Sequence, residues 1–144
     1  MVGTVDERVE LAQDLYLEGH NCTQSVVFAI CDLDESEREL LLHAAEGFIN
    51  GMGGCTETCG AISGGIMALG LITKADLYDI DRRKETHRLA RQLVKRFRQK
   101  NGATLCRELK SGKDGEPVRL CSGCIEDAVR ITCDLLEEAS SKGA

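Results

Sequence analysis

GFINGMGGCTETCGAISGGIMALG, running from Gly47 to Gly70, is the stretch whose reading decides the fold. Eight of the chain's 15 glycines fall within it. Glycine weakens a helix by about 1 kcal/mol relative to alanine, so this density asks for a structural reason. Two reasons divide the stretch. The first half reads as a loop whose backbone comes close to something and can turn N–H groups toward sulfur or an anion. The second half reads as a helix that is apolar nearly all round, through Ala61, Ile62, Ile66, Met67, Leu69 and Leu71. Such a helix belongs at the centre of a bundle. Gly60, Gly64 and Gly65 would then let neighbouring helices approach closely. The lysine of a phosphate-binding P-loop is absent, which argues against a nucleoside triphosphate.

Working outward, helix follows helix. Val5, Val9, Ala12 and Tyr16 recur at helical spacing, with Leu11 and Leu15 widening the stripe. Gly19 reads as the stop, and Asn21 as the cap of a second helix bearing Val26, Val27, Phe28 and Ile30. Ser36 with Glu39 suggests a capping box for a third helix through Leu40, Leu41 and Ala44. A basic helix carries Leu89, Leu93, Val94 and Phe97 and ends at Asn101-Gly102. Residues 111–117 form the clearest loop and hold the chain's single proline, Pro117. A last helix carries Ile125, Ala128, Val129, Leu135 and Leu136. No alternating apolar run of strand length occurs. The expectation is an all-α, single-domain bundle spanning residues 1–144, with about six helices and the glycine-rich loop before the central one.

Charge is distributed unevenly. The net charge of −6 conceals nine of the 18 Lys and Arg residues between Arg82 and Lys100, with Glu85 as the sole acid there. A basic helix can meet an acidic protein, a second copy of the chain or an anionic surface, or can simply be solvated. Five aromatic residues and no tryptophan argue against a stacking platform for single-stranded nucleic acid, so no nucleic-acid partner is expected. The longest apolar run, Gly60 to Ile72, is too short to span a bilayer. Residues 1–20 contain no apolar segment typical of a signal peptide, so a cytoplasmic location and reduced thiols are expected.

The eight cysteines are the chemical feature. In a reducing compartment that number points to metal binding or redox chemistry more than to structural disulfides. Four stand beside the expected helix starts: Cys22, Cys59, Cys106 and Cys121. The free N–H groups and partial positive charge there favour thiolate, the form that attacks disulfides and binds metals. Four thiolates can hold an iron–sulfur cluster or a tetrahedral zinc. Paired thiols can cycle as a disulfide, and Cys121-Ser122-Gly123-Cys124 supplies a C-x-x-C spacing. Ile125 stands where c-type haem attachment needs histidine. Of His20, His43 and His87, His20 alone lies close in sequence to one of these cysteines, two residues before Cys22.

Four blocks in order carry a family resemblance. They are Gly19-His20-Asn21-Cys22-Thr23-Gln24-Ser25-Val26, Thr58-Cys59-Gly60-Ala61-Ile62-Ser63-Gly64, Cys106-Arg107-Glu108-Leu109, and Cys121 ahead of Ile125-Glu126-Asp127-Ala128. The chain resembles the C_GCAxxG_C_C family, redox-active proteins named for this cysteine pattern. The resemblance runs from about residue 5 to 140. It implies that Cys22, Cys59, Cys106 and Cys121 are the acting cysteines, catalytic or metal-ligating, with Cys124 as an alternative fourth. It places Gly60, Ala61 and Gly64 beside a cofactor. The related domain of split-Soret cytochromes carries an iron–sulfur cluster on its cysteines, which makes such a cluster the implied cofactor. Cys31, Cys55 and Cys133 are extra to the pattern, and Cys55 could pair with Cys59 or exchange for it.

The expected function is electron transfer or redox sensing through a four-cysteine centre, either an iron–sulfur cluster or a thiol/disulfide pair. A redox partner protein is implied, and a homodimer is possible. After aerobic preparation the centre would be empty or disulfide-bonded. The other class considered is a non-catalytic binding module, with structural zinc or no metal, that docks a partner through residues 82–100.

Overall fold

The computed structural model describes residues 3–142. Six helices of nine or more residues form the body: α1 (Val5–Leu17), α2 (Cys22–Ile30), α3 (Glu35–Ala44), α4 (Gly60–Thr73), α5 (Ile80–Asn101) and α7 (Cys121–Lys142). A seventh, α6 (Cys106–Leu109), is a single turn. No strand occurs among the described residues; one isolated bridge joins Thr58 to Leu105. The fold is the all-α bundle that the periodicity indicates.

Helix α4 sits at the centre and packs against α2, α7 and α5. Its glycines make this possible. A Cβ at residue 64 would lie 2.6 Å from the Thr23 carbonyl oxygen and 2.9 Å from the Val26 Cβ. One at residue 65 would lie 2.7 Å from both the Leu93 side chain and the Thr132 hydroxyl. The backbones of α2 and α4 therefore touch, and Thr23 Oγ1 donates to the Gly60 carbonyl at 2.8 Å across the seam. Around this seam Val26, Ile30, Ile62, Leu69, Leu89, Leu93, Phe97, Ile125 and Leu135 are buried. The burial is incomplete toward the C-terminal half of α4, where Ile66 and Ile72 are more than one-third exposed. The sequence suggests an apolar helix buried at the centre; among the described residues Ile66 and Ile72 are covered only in part.

The caps explain where helices begin. Asn21 and Gln24 form a reciprocal capping box at the start of α2. Gly19 takes φ +113, a conformation glycine alone adopts easily, and separates α1 from α2. At α3 the cap is Asp34, whose side chain accepts from the Glu37 N–H at 2.8 Å, and not the expected Ser36. Both residues fit the preference, but Asp34 is the one that stands outside the helical backbone. Helix α3 also buries no residue, and Leu40 and Ala44 face solvent. It is held from outside, by Arg38 stacked 4.5 Å over the Phe28 ring and by Gln24 donating to the Leu42 carbonyl. Leu11 likewise lies on the outer side of α1, while Leu15 is buried. Helix α5 turns Leu89, Leu93 and Phe97 inward and stops at Gly102, φ +76, as its sequence indicates.

One polar knot lies within this apolar interior. Asp127 of α7 is fully buried. It accepts from Lys100 at 2.6 Å, Asn101 at 3.1 Å and Arg119 at 3.2 Å. These bonds tie the end of α5 and the approach to α7 to the first turns of α7.

Candidate functional site

The segment between α3 and α4 is the least ordinary backbone in the molecule. Five residues within six positions have left-handed φ: Asn50, Gly51, Met52, Gly53 and Cys55. For a residue with a Cβ this conformation costs about 1–2 kcal/mol, so surrounding contacts must hold it. They are visible. Cys106 N–H donates to the Glu57 carbonyl at 2.6 Å, and Cys59 N–H donates to the Thr104 carbonyl at 2.8 Å. Gly51 lies against Cys106 so closely that a Cβ there would strike the Cys106 side chain and the Glu57 carbonyl. The loop is thus stitched to the chain entering α6, and this stitching delivers cysteines from distant sequence to one end of the bundle.

Cys22, Cys106 and Cys121 are the first residues of α2, α6 and α7, and Cys59 caps α4. The structure brings Cys22 within electrostatic reach of Cys59 and Cys121, and Cys106 within reach of the same two. Cys124 and Cys55 join them, from the first turn of α7 and from the loop. Cys31 and Cys133 do not; they lie buried near Arg8 and influence each other. Among the described residues none of the eight cysteines is joined in a disulfide.

The helix starts do not act alike. Cys59 is lowered from 9.0 to about 7, chiefly by its side-chain contact with Cys124, against the opposing effect of burial. The N–H groups of Ala61 and Ile62 and the nearby Lys110 ammonium add to this. Cys124 is correspondingly raised, first by the same contact and then by its own burial; its thiol also reaches the Arg119 carbonyl at 4.0 Å. Cys22 is raised to about 11, by burial and by the neighbouring Cys59 sulfur, although the Asn50 N–H of the strained loop points at it. Cys106 is raised by burial, which outweighs Lys110. A helix N-terminus favours thiolate only where desolvation and other sulfurs do not overrule it. Of the helix-start thiols that shift, Cys59 alone shifts downward.

Two further groups complete the arrangement. The Tyr16 hydroxyl hydrogen-bonds the Cys121 sulfur; burial first, and then this contact, raise Tyr16 to about 12. Lys110 Nζ approaches the Cys55 sulfur at 3.8 Å and the Asn50 amide oxygen at 3.5 Å. Sequence reading placed Tyr16 in the core stripe and passed over Lys110. The four-residue step from Cys106 to Lys110 was the available signal, since it puts both on one face of a helical turn. His20 turns away from Cys22: its Nδ1 meets the Leu15 carbonyl at 3.0 Å and its ring packs edge-on against Phe28. Gly60 presses against Cys22 and Thr23, Gly64 fits against α2, and Ala61 is buried with its N–H toward Cys59.

A thiol-rich donor set suits soft metals in kind. The arrangement is another matter. Among the described residues no three His, Cys, Asp or Glu side chains are grouped so as to hold a metal ion. Two of the four sulfurs are engaged elsewhere, Cys59 with Cys124 and Cys121 with Tyr16. As disposed here, Cys59 and Cys124 make a close thiol pair, and the helix-start sulfurs are not grouped as a cluster would need. Among the described residues no helix is long and apolar enough to cross a membrane.

Comparison with known proteins agrees with the cysteine pattern. Residues 20–135 match the family described as "Putative redox-active protein (C_GCAxxG_C_C)", and the chain belongs to that family. It is also 30% identical over 138 residues to an uncharacterized protein of Archaeoglobus fulgidus, covering 87% of this chain and 90% of that one. No solved structure gives a significant match.

Proposed function

We propose that this protein is redox-active through thiol–disulfide exchange, with Cys59 and Cys124 as the working pair. The observation that carries this reading is the closeness of those two thiols at the starts of α4 and α7, where each is the first influence on the other's acidity. Cys59 supplies the thiolate at neutral pH, and Cys124 holds the proton. Oxidation joins the two sulfurs, passes two electrons to a disulfide-bearing acceptor and releases the one proton on Cys124; the acceptor becomes two thiols by taking that proton and one from solvent. Reduction by a partner dithiol reverses the step. Cys22, Cys106 and Cys121 surround the pair and set its electrostatic environment. Such a centre serves two-electron transfer or redox sensing.

The competing reading is an iron–sulfur cluster on Cys22, Cys59, Cys106 and Cys121, favoured by the reach of Cys22 and of Cys106 to both Cys59 and Cys121. It requires Cys59 to leave Cys124 and Cys121 to leave Tyr16. A structural zinc on the same thiols makes the same demands.

Anaerobic purification, followed by iron and zinc analysis and by native alkylation across pH, separates these readings. The thiol-pair reading expects a colourless, metal-free protein whose Cys59 alkylates with a midpoint near pH 7, because a lowered pKa keeps thiolate present down to that value. In Cys124→Ala, which removes the contacting side chain, the midpoint moves upward. Stoichiometric iron with visible bands bleached by dithionite would replace this reading with the cluster.

A further inference from the structure

The working pair has an access problem. Cys59 and Cys124 are 7% and 3% exposed, so an external disulfide cannot easily reach either sulfur. Cys55 is the one exposed cysteine of the eight, Cys22 and Cys121 being half-buried, and it stands outside the family's cysteine pattern. Its surroundings set it apart from an ordinary surface thiol. It sits at φ +63 in the strained loop, with its sulfur 3.8 Å from the Lys110 ammonium. Lys110 is exposed and also bonds Asn50 of the same loop, so it is anchored beside Cys55 rather than merely near it. Cys106, four residues before Lys110, lies under Gly51 and is within electrostatic reach of both Cys55 and Cys59. The exposed Cys55 thus adjoins a buried set in which Cys106, 6% exposed, links it to Cys59 and Cys124.

We propose that Cys55, with Lys110 beside it and Cys106 behind it, is the site where a low-molecular-weight disulfide first reacts with the thiol centre. The capture step stands on its own; delivery to the interior rests on the Cys59–Cys124 reading above. The Cys55 sulfur attacks one sulfur of the external disulfide, whose S–S bond breaks. The first half leaves as a thiol, taking up the proton that Cys55 shed, and a mixed disulfide remains on Cys55. Cys106 then attacks the Cys55 sulfur, forms a Cys55–Cys106 disulfide and expels the second half, which takes up the proton Cys106 shed. Two protein thiols have lost two electrons and two protons, and the external disulfide has gained both. Two internal exchanges move the disulfide inward without further change in electron count. Cys59 attacks Cys106 and frees Cys55; Cys124 then attacks Cys59 and frees Cys106. The Lys110 ammonium assists the first step by stabilising the attacking thiolate, an effect general to cationic neighbours of reactive cysteines.

The test uses oxidised glutathione on the reduced, full-length protein, read by intact mass and peptide mapping. In Cys106→Ser one glutathione accumulates on Cys55, because the resolving thiol is gone. In Cys55→Ser, oxidation of Cys59–Cys124 by glutathione disulfide slows by about tenfold or more, while diamide still oxidises that pair. Lys110→Gln slows capture at Cys55 by at least about threefold, and Lys110→Arg restores it. Glutathione found first on Cys22 or Cys121 in Cys106→Ser would overturn the proposal. So would unchanged capture in Lys110→Gln, or an unchanged rate of pair oxidation in Cys55→Ser. Failure of the pair reading shows differently: diamide would form no Cys59–Cys124 disulfide in the wild type, while the adduct on Cys55 in Cys106→Ser would still form.

Discussion

Replacing Gly64 by alanine probes the seam on which the thiol centre depends. The new Cβ would lie 2.6 Å from the Thr23 carbonyl oxygen and 2.9 Å from the Val26 Cβ. Neither is the end of a flexible side chain, so α2 and α4 must separate. Overpacking of this kind costs about 1–3 kcal/mol. The alanine also returns about 0.5–1 kcal/mol of helix propensity. Gly70 isolates the two effects, because it lies in the same helix with nothing within 4 Å of its would-be Cβ. Gly70→Ala should therefore stabilise by about 0.5–1 kcal/mol. The gap between the two variants is the steric cost alone, about 1–3 kcal/mol. Urea unfolding of the reduced protein at fixed pH measures it. The separation should reach the chemistry as well, since Cys22 starts α2 and Cys59 caps α4. Equal stabilisation by both substitutions would refute the argument that glycine permits backbone contact here.

Two other predictions concern charge. Removing the buried carboxylate in Asp127→Ala leaves Lys100 and Arg119 without their shared partner and should cost on the order of 2–4 kcal/mol, at the lower end of a buried pair because both cations are partly exposed. The bonds from Lys100, Arg119 and Asn101 overcome burial and hold the Asp127 carboxyl below its ordinary range. Its stabilising contribution is therefore present above the usual carboxylate pKa and disappears as pH falls through the lowered value; an acid titration of stability that is identical in wild type and Asp127→Ala would contradict this. On α5, Arg96 pairs with Glu138 and Arg88 with Glu85. Neutralising Arg91, Lys95 and Arg98 together, residues that form no ion pair among the described residues, should leave unfolding and thiol reactivity unchanged while weakening salt-sensitive self-association, as measured by sedimentation at rising ionic strength.

Much of the fold was legible because helical signals are local. Asn21, Gly19 and Gly102 mark ends by backbone chemistry, and the Gly64 seam follows from glycine within an apolar helix. The misread positions depend on what lies across the gap. Leu40 is apolar but exposed and Ile66 is covered only in part, since burial is decided by neighbours that one sequence does not locate. Asp34 and Ser36 both fit a cap, and only the turn of the chain selects between them. The cysteine cluster shows the same division. Helix-start positions of Cys22, Cys59, Cys106 and Cys121 could be read from sequence. The Cys59–Cys124 contact, the Tyr16 contact with Cys121 and the approach of Lys110 to Cys55 could not, because each joins elements far apart in the chain.

The central claim is that Cys59 and Cys124 form a reversible dithiol. An anaerobic equilibrium redox titration, with the disulfide state mapped by mass spectrometry at each potential, tests it directly. The account predicts one two-electron transition assigned to a Cys59–Cys124 disulfide, abolished in Cys124→Ser and shifted as pH crosses about 7, where Cys59 titrates. A protein in which these two cysteines stay reduced across the range, or in which the transition is a one-electron change accompanied by stoichiometric iron, would contradict it.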